Sequence, residues 1–81
     1  MSLVTVQLFA SYADLVGSST LDVPIRNGDT VRDLLHHIRS LPAAADLPAI
    51  ARVAVNRVFA VESTPLGAGD EIALIPPVAG G

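Results

Sequence analysis

Residues 30–42 read TVRDLLHHIRSLP, and their spacing predicts the helix against which the other elements pack. Thr30, followed three residues later by Asp33, has the pattern of a capping box at a helix start. Pro42 cannot continue a helix, so we expect the helix to stop there. The apolar residues recur at the three- and four-residue intervals of one helix face, and they are Val31, Leu34, Leu35, Ile38 and Leu41.

Two stretches before this helix alternate between apolar and other residues, which is typical of β-strands. Residues 3–9 form the first predicted strand, and its more apolar face is suited to covering a core. Residues 20–24 form a second, shorter strand. Between them, residues 10–16 predict a short helical turn that Gly17 closes. We therefore expect a hairpin with a long connection.

The chain after the helix contains three further predicted strands. Residues 43–50 are rich in alanine and interrupted by proline, so they predict a loop with one helical turn. Residues 52–55 and 58–61 predict two strands on either side of Asn56 and Arg57. A turn-rich connection over residues 65–70 then leads to a final strand over residues 71–75.

This order of elements predicts an α+β domain, in which a mixed sheet has one main helix packed across one face. The arrangement is the β-grasp, or ubiquitin-like, fold, with its first and last strands adjacent and parallel. The domain would cover residues 1–75, and residues 76–81 would form an extended C-terminal tail. Phe9 and Ile75 would then lie at the same end of neighbouring strands, on the face away from the helix. Phe59 is a third candidate for this apolar surface.

Composition excludes several classes of function. The chain has 81 residues, enough for one small domain, and no cysteine for disulfides or thiolate chemistry. Its formal net charge of −3 argues against binding to nucleic acid or to an anionic membrane. Neither a signal peptide nor an apolar run of membrane-spanning length is present in the sequence, so we expect a soluble, cytoplasmic protein.

The body of the predicted domain offers no convincing active site, metal site or permanently bound cofactor. His36 and His37 diverge around the helix and lack a second ligand at helical spacing, so we interpret both as solvent-exposed helix residues. Asp70 and Glu71 fall where a turn meets a strand and are poorly placed as an acid–base pair. The protein is therefore expected not to be catalytic alone.

The tail begins as a stiff arm. Pro76 and Pro77 each fix φ and remove a backbone donor, so the chain leaves the sheet in extended geometry. Val78 and Ala79 are small and apolar, which suits a dry groove on another protein better than solvation. Six extended residues reach roughly 20 Å, far enough to enter a partner's buried site.

The tip of the tail carries its only reactive group. Gly80 and Gly81 lack a Cβ, so their backbone can pass through a narrow channel. The Gly81 α-carboxylate is an anion at neutral pH and a poor electrophile. Adenylation by ATP would activate it towards sulfur or an amine. A frayed, idle terminus is the alternative for a Gly-Gly end considered alone.

Taken together, these residues resemble the small subunit of molybdopterin synthase, a ubiquitin-like sulfur-carrier family. The resemblance covers nearly the whole chain, although Ala13 stands where many members carry arginine. Its motifs are Phe9-Ala10 with Asp14-Leu15-Val16-Gly17, Thr30-Val31, Ala54-Val55-Asn56, Pro65-Leu66 with Gly69-Asp70-Glu71, and the end Pro76-Pro77-Val78-Ala79-Gly80-Gly81.

The resemblance implies a function for the tail. In that family, a ubiquitin-activating-like adenylyltransferase uses ATP to adenylate the terminal carboxylate, which corresponds to Gly81, and sulfur is then installed as a thiocarboxylate. The tail enters the large subunit of a heterotetramer and donates sulfur to cyclic pyranopterin monophosphate for molybdenum cofactor biosynthesis. The family's apolar interface positions correspond to Phe9, Phe59 and Ile75.

Three other functions remain open on the sequence. The chain could carry sulfur for thiamine or cysteine synthesis. It could be a ubiquitin-like modifier whose Gly81 forms isopeptide bonds with lysines on target proteins. It could also be a plain β-grasp binding module, whose function would survive removal of Gly80 and Gly81.

Overall fold

A computed structural model describes residues 2–48, 50 and 52–77 of the chain. Its first strand, β1 (Ser2–Leu8), leads into helix α1 (Ala10–Val16). Gly17 closes α1 in the left-handed conformation at φ 82°, as predicted. Strand β2 (Thr20–Ile25) then pairs antiparallel with β1, and the predicted hairpin is confirmed.

Helix α2 (Val31–Arg39) begins at the predicted capping box. The backbone N–H of Thr30 donates to Asp33 Oδ2 at 2.9 Å, and the N–H of Asp33 donates to Thr30 Oγ1 at 3.4 Å. The Thr30 backbone N–H, followed by its hydroxyl, holds the pKa of Asp33 below its usual value. The Asp33 carboxylate lies in the first turn of α2, where the positive end of the helix dipole stabilises its negative charge.

The end of α2 differs from the prediction. The last helical residue is Arg39, and Ser40 caps the helix by donating its N–H and its hydroxyl to the carbonyl of His37. Leu41 is extended, as expected for a residue before proline. Pro42 therefore does not stop the helix itself but begins a 3₁₀ turn over Pro42–Ala44.

Strands β3 (Arg52–Val55), β4 (Val58–Ala60) and β5 (Ile72–Ile75) follow. β4 ends one residue earlier than predicted because the backbone N–H of Val61 donates to Thr64 Oγ1, at 3.1 Å, and so belongs to a turn. β5 also starts one residue later than predicted.

The five strands form one mixed sheet in the order β2-β1-β5-β3-β4. β1 and β5 are adjacent and parallel, with Val6 opposite Ile72 and Leu8 opposite Leu74. β3 pairs antiparallel with both β5 and β4. β2 and β4 are the edges, and an edge tolerates Pro24 within β2. The predicted β-grasp topology is confirmed.

The core lies between α2 and the face of the sheet that we call the inner face. Both central strands contribute alternate residues to this face. No helix in the described part of the chain is long and apolar enough to cross a membrane. The buried residues are Val4, Val6, Leu8, Tyr12, Val23, Ile25, Val31, Leu34, Ile38, Ala44, Val53, Leu66, Ile72 and Leu74.

The connection between β4 and β5 pins the start of α2. The backbone N–H groups of Val31 and Arg32 donate to the carbonyls of Thr64 and Glu62, at 2.9 and 3.0 Å. These donors have no partner inside the helix, so the connection satisfies them. The same connection buries Leu66 in the core.

Tyr12 provides a test of the core. Its side chain is buried, and its hydroxyl has no hydrogen-bond partner within the described structure. Because an unpaired buried hydroxyl is destabilising, we expect Tyr12→Phe to raise the free energy of unfolding by about 1 kcal/mol. Chemical denaturation measures this change.

Tyr12→Leu is the matched control, because it also removes the hydroxyl but leaves a cavity. It should lower the free energy of unfolding by about 1–3 kcal/mol. Equal destabilisation by both substitutions would show instead that the hydroxyl is bonded in the folded protein.

Candidate docking surface

The parallel pairing of β1 with β5 brings Phe9 close to the root of the C-terminal arm. Leu8 lies opposite Leu74, and both are buried on the inner face. Phe9 and Ile75 each follow one of these residues in extended backbone, so both project from the opposite, outer face. Phe9 is 46% exposed, whereas Ile75 is half-buried. The predicted placement of these two residues is therefore observed.

Phe59 projects from the same outer face, two strands away from Ile75. Cross-strand partners share a face, and the register joins Gln7 to Ala73, Ala73 to Ala54, and Ala54 to Phe59. The Phe59 side chain is 62% exposed. The sequence indicated Phe59 only as a candidate for the apolar surface. The strand register places it on the outer face of the sheet.

Arg52 completes the group and was not singled out by the sequence. It lies opposite Ile75 in the pairing of β3 with β5, and its guanidinium carbon is 4.9 Å from the centroid of the Phe59 ring. The hairpin register could have indicated this diagonal contact, since Arg52 is two residues from Ala54, the partner of Phe59. We call Phe9, Arg52, Phe59 and Ile75 the arm-root patch.

The arm itself starts at this patch. Pro76 follows Ile75 directly and is half-buried, and Pro77 is exposed. Neither residue can donate a backbone hydrogen bond to a neighbouring strand, so the prolines end β5. The sequence predictions for Val78, Ala79, Gly80 and Gly81 fall outside the described residues.

A network of hydrogen bonds around Asn56 holds the β3–β4 hairpin against the start of β5. Asn56 and Arg57 form the turn with φ values of 52° and 69°, as a two-residue turn of type I′ requires. The side chain of Asn56 donates to Asp70 Oδ1 at 3.0 Å and accepts the N–H of Glu71 at 2.9 Å. The backbone N–H of Asn56 donates to the carbonyl of Glu71 at 2.7 Å. The strand that carries Phe59 is thus fixed to the strand that carries the arm.

Asp70 is a structural carboxylate in this network. The Asn56 side chain and, after it, the backbone N–H of Gly67 hold the pKa of Asp70 below its usual value. Oδ2 accepts the Gly67 N–H at 2.7 Å. The exposed side chain of Glu71 lies 3.6 Å from Arg57. As predicted, the two carboxylates belong to a turn and a strand edge.

The two histidines behave differently from each other. His36 is exposed, as expected, whereas His37 keeps 40% of its side chain exposed and lies beside an acidic residue. His37 is half-buried, with Nε2 3.4 Å from Asp29 Oδ2. Helical side chains point towards the N-terminus of their helix, and the turn before α2 places Asp29 there. Among the described residues, no group of three His, Cys, Asp or Glu side chains could hold a metal ion.

A small β-grasp domain with an apolar patch at the root of a C-terminal arm has the architecture of a ubiquitin-like carrier. The chain matches the ThiS family over residues 6–81 and belongs to that family. It is similar to the molybdopterin synthase sulfur carrier subunit of Mycobacterium tuberculosis, with 41% identity over 61 residues, 74% of each chain. The resemblance inferred from the sequence is confirmed.

Solved structures of two other proteins share the fold. SAMP1 of Haloferax volcanii, a small archaeal modifier protein, is 32% identical, with a TM-score of 0.81 over 99% of this chain and 100% of that one. A complex of subunits 1 and 2 of the molybdopterin-converting factor of Helicobacter pylori contains a chain that is 22% identical. Its TM-score is 0.68 over 98% of this chain and 99% of that one, and this likeness supports the fold alone.

The contact between Asn56 and Asp70 makes stability depend on pH. The pKa of Asp70 is lowered from 3.8 in the folded state, so its contribution is present above that value and is lost as pH falls through the folded pKa. We expect a double-mutant cycle of Asn56→Ala and Asp70→Asn to give a coupling of about 0.5–1 kcal/mol at neutral pH, typical of exposed charged contacts. Denaturation at neutral and acidic pH measures it.

At a pH below the folded pKa of Asp70, the coupling should fall towards zero, because Asp70 is then protonated in both folded and unfolded chains. A coupling of equal size at both pH values would contradict the proposed role of the Asp70 charge.

Proposed function

We propose that this chain is the sulfur-carrier subunit of a molybdopterin synthase and that the Gly81 α-carboxylate carries the sulfur. The observation that supports this most directly is its 41% identity to a molybdopterin synthase sulfur carrier subunit. The proposal also agrees with the apolar patch at the root of the arm and with the Gly-Gly end of the sequence. Catalysis would belong to the partners, and this chain would supply the sulfur.

Two activated forms of Gly81 are needed in this proposal. A carboxylate is a poor electrophile at neutral pH, so an activating enzyme of the ubiquitin-activating type would first transfer AMP from ATP to it and release pyrophosphate. Sulfur at the oxidation level of sulfide would then attack the Gly81 acyl carbon and expel AMP, so that a C–S bond replaces the C–O bond to phosphate and a thiocarboxylate is left. That enzyme would consume the ATP, and this chain would need no permanently bound cofactor.

Sulfur transfer would take place in the large subunit of the synthase. Pro76 and Pro77 would direct the arm away from the sheet, and Val78 and Ala79 would line a narrow channel. Gly80 would let the backbone approach cyclic pyranopterin monophosphate closely. The thiocarboxylate sulfur would form a bond to the pterin, and water would then cleave its bond to the Gly81 acyl carbon and leave the carboxylate. We place this reaction in the cytoplasm and in a heterotetramer.

The arm-root patch would hold the carrier while the arm is inserted. Aromatic and arginine side chains are the residues that contribute most at protein interfaces, and the patch contains Phe9, Phe59 and Arg52. A chain of this fold occurs in the complex of subunits 1 and 2 of the Helicobacter pylori molybdopterin-converting factor. The same patch could serve the activating enzyme in turn, because the two partners act at different stages.

The chemistry of Gly81 can be tested by mass spectrometry of the intact chain. After incubation with an activating enzyme, ATP and a sulfur source, the chain should gain the mass difference between sulfur and oxygen at its C-terminus. A chain lacking Gly81 is the control and should gain nothing. No gain in the full chain, or an equal gain in the control, would contradict the proposal.

The docking role of Phe59 can be tested against its neighbour Val58, since both lie on β4 and are 62% and 68% exposed. Val58 projects from the inner side of the sheet and Phe59 from the outer. We expect Phe59→Ser to weaken binding to the large subunit by about tenfold or more, as loss of a central aromatic residue does. Calorimetry or surface plasmon resonance measures it.

Val58→Ser removes a comparable exposed apolar side chain and should leave the affinity within about twofold of the original, because this side chain projects from the opposite side of the sheet. Equal losses for the two variants would mean that the outer face is not the docking face.

A second candidate is covalent modification of other proteins, which the 32% identity to SAMP1 favours. In that reaction, a lysine amine of a target would attack the adenylated Gly81 and release AMP. Extracts would then contain conjugates that survive denaturation and thiol reagents. A sulfur carrier for thiamine or cysteine synthesis would instead be recovered with a different synthase, such as a thiazole-forming one.

A further inference from the structure

Arg52 is the one charged residue of the arm-root patch. We propose that it is a specificity anchor, and that the large subunit presents a carboxylate to it when the carrier docks. This inference rests on the proposed function, since it concerns the same partner. It adds a residue and a charge requirement to a surface otherwise defined by apolar side chains.

The position of Arg52 makes it central to the surface. In the sheet, Arg52 is the cross-strand partner of Ile75, the last residue before the prolines. On the other side of Ile75 lies β1, which ends next to Phe9. A protein that covers the root of the arm must therefore cover Arg52 as well.

Phe59 holds the guanidinium in place before any partner arrives. The separation of 4.9 Å between the guanidinium carbon and the ring centroid is within the range of a cation–π contact. The guanidinium carries its N–H donors in a planar fork, which matches the geometry of a carboxylate. The contact with Phe59 thus restrains the Arg52 side chain beside the root of the arm, which lowers the rotamer entropy that binding a carboxylate would cost.

In the part of the chain that the structure describes, no carboxylate forms an ion pair with Arg52. Within the described residues, the acidic contacts of basic side chains are those of Arg57 with Glu71 and of His37 with Asp29. Docking of an apolar partner would remove water from Arg52 without replacing its interactions. Because an uncompensated buried charge is strongly unfavourable, a partner that fits this patch needs an acidic side chain at this point.

A second copy of the chain is a poorer occupant of the patch. Dimers usually form through a two-fold axis, which would bring two Arg52 side chains to one small surface. The arm-root patch contains no acidic residue that could neutralise these two positive charges. The charge of Arg52 therefore favours a different protein and discriminates against self-association.

The test measures binding of the full chain to the large subunit from the same organism, at low and at moderate salt. We expect Arg52→Gln to weaken binding by about tenfold at low salt and to flatten its salt dependence, because the charged contact is lost. Arg52→Lys retains the charge but not the planar fork. Its affinity should therefore lie between that of the unsubstituted chain and that of Arg52→Gln.

Arg39→Gln is the matched control. It removes the charge of another exposed arginine, in the last turn of α2, on the side of the domain that the helix covers. It should leave both the affinity and its salt dependence unchanged. Thermal unfolding of each variant establishes that the loss of affinity is not a loss of folded protein.

Wild-type affinity and salt dependence in a folded Arg52→Gln variant would overturn this inference while leaving the proposed function intact. Failure of the unsubstituted chain to bind the large subunit would instead overturn the proposed function. Dimers of the unsubstituted chain in sedimentation experiments that Arg52→Gln weakens would also contradict the inference, because Arg52 would then help to join two copies.

Discussion

The parallel pairing of β1 with β5 is the constraint on which the rest of the molecule depends. It joins the first strand to the last at the centre of the sheet, with Leu8 opposite Leu74. This pairing also determines which residues follow the two strands at the same end of the sheet. At one end, the arm leaves the domain through Pro76, and beside it Phe9 emerges from the same face. A different strand order would separate the arm from the apolar surface at its root.

The two faces of the sheet have different tasks. The inner face packs against α2 and gives the domain its stability, because its side chains in β1 and β5 are fully buried. The outer face has no helix in the described structure and carries Phe9 and Phe59 exposed. A domain that leaves aromatic side chains beside its own C-terminal arm is suited to docking and then to inserting that arm. The hydrogen bonds of Asn56 keep the outer surface in register with the arm.

Local patterns in the sequence were sufficient for most of the fold. Thr30 and Asp33 predicted the start of α2 because a capping box is a contact over three residues. Alternation and strand order together predicted that Phe9 and Ile75 share a face. The end of α2 was missed because Ser40 bonds back to His37 and closes the helix before Leu41.

Contacts between distant residues could not be read from such patterns. The contact of His37 with Asp29 depends on the path of the turn before α2, and that of Arg52 with Phe59 depends on the register of a hairpin. Asn56 and Asp70 are fourteen residues apart and meet only because β3 pairs with β5. The roles assigned to residues 78–81 stay predictions, since they depend on chemistry at a partner.

The most direct test of the central claim follows the sulfur itself. The chain would be prepared with a labelled thiocarboxylate at Gly81 and mixed with the large subunit and cyclic pyranopterin monophosphate. We expect label to appear in the dithiolene product, with one Gly81 thiocarboxylate converted to carboxylate for each sulfur transferred. Label that stays on Gly81 while the pterin product forms from another sulfur source would contradict the claim.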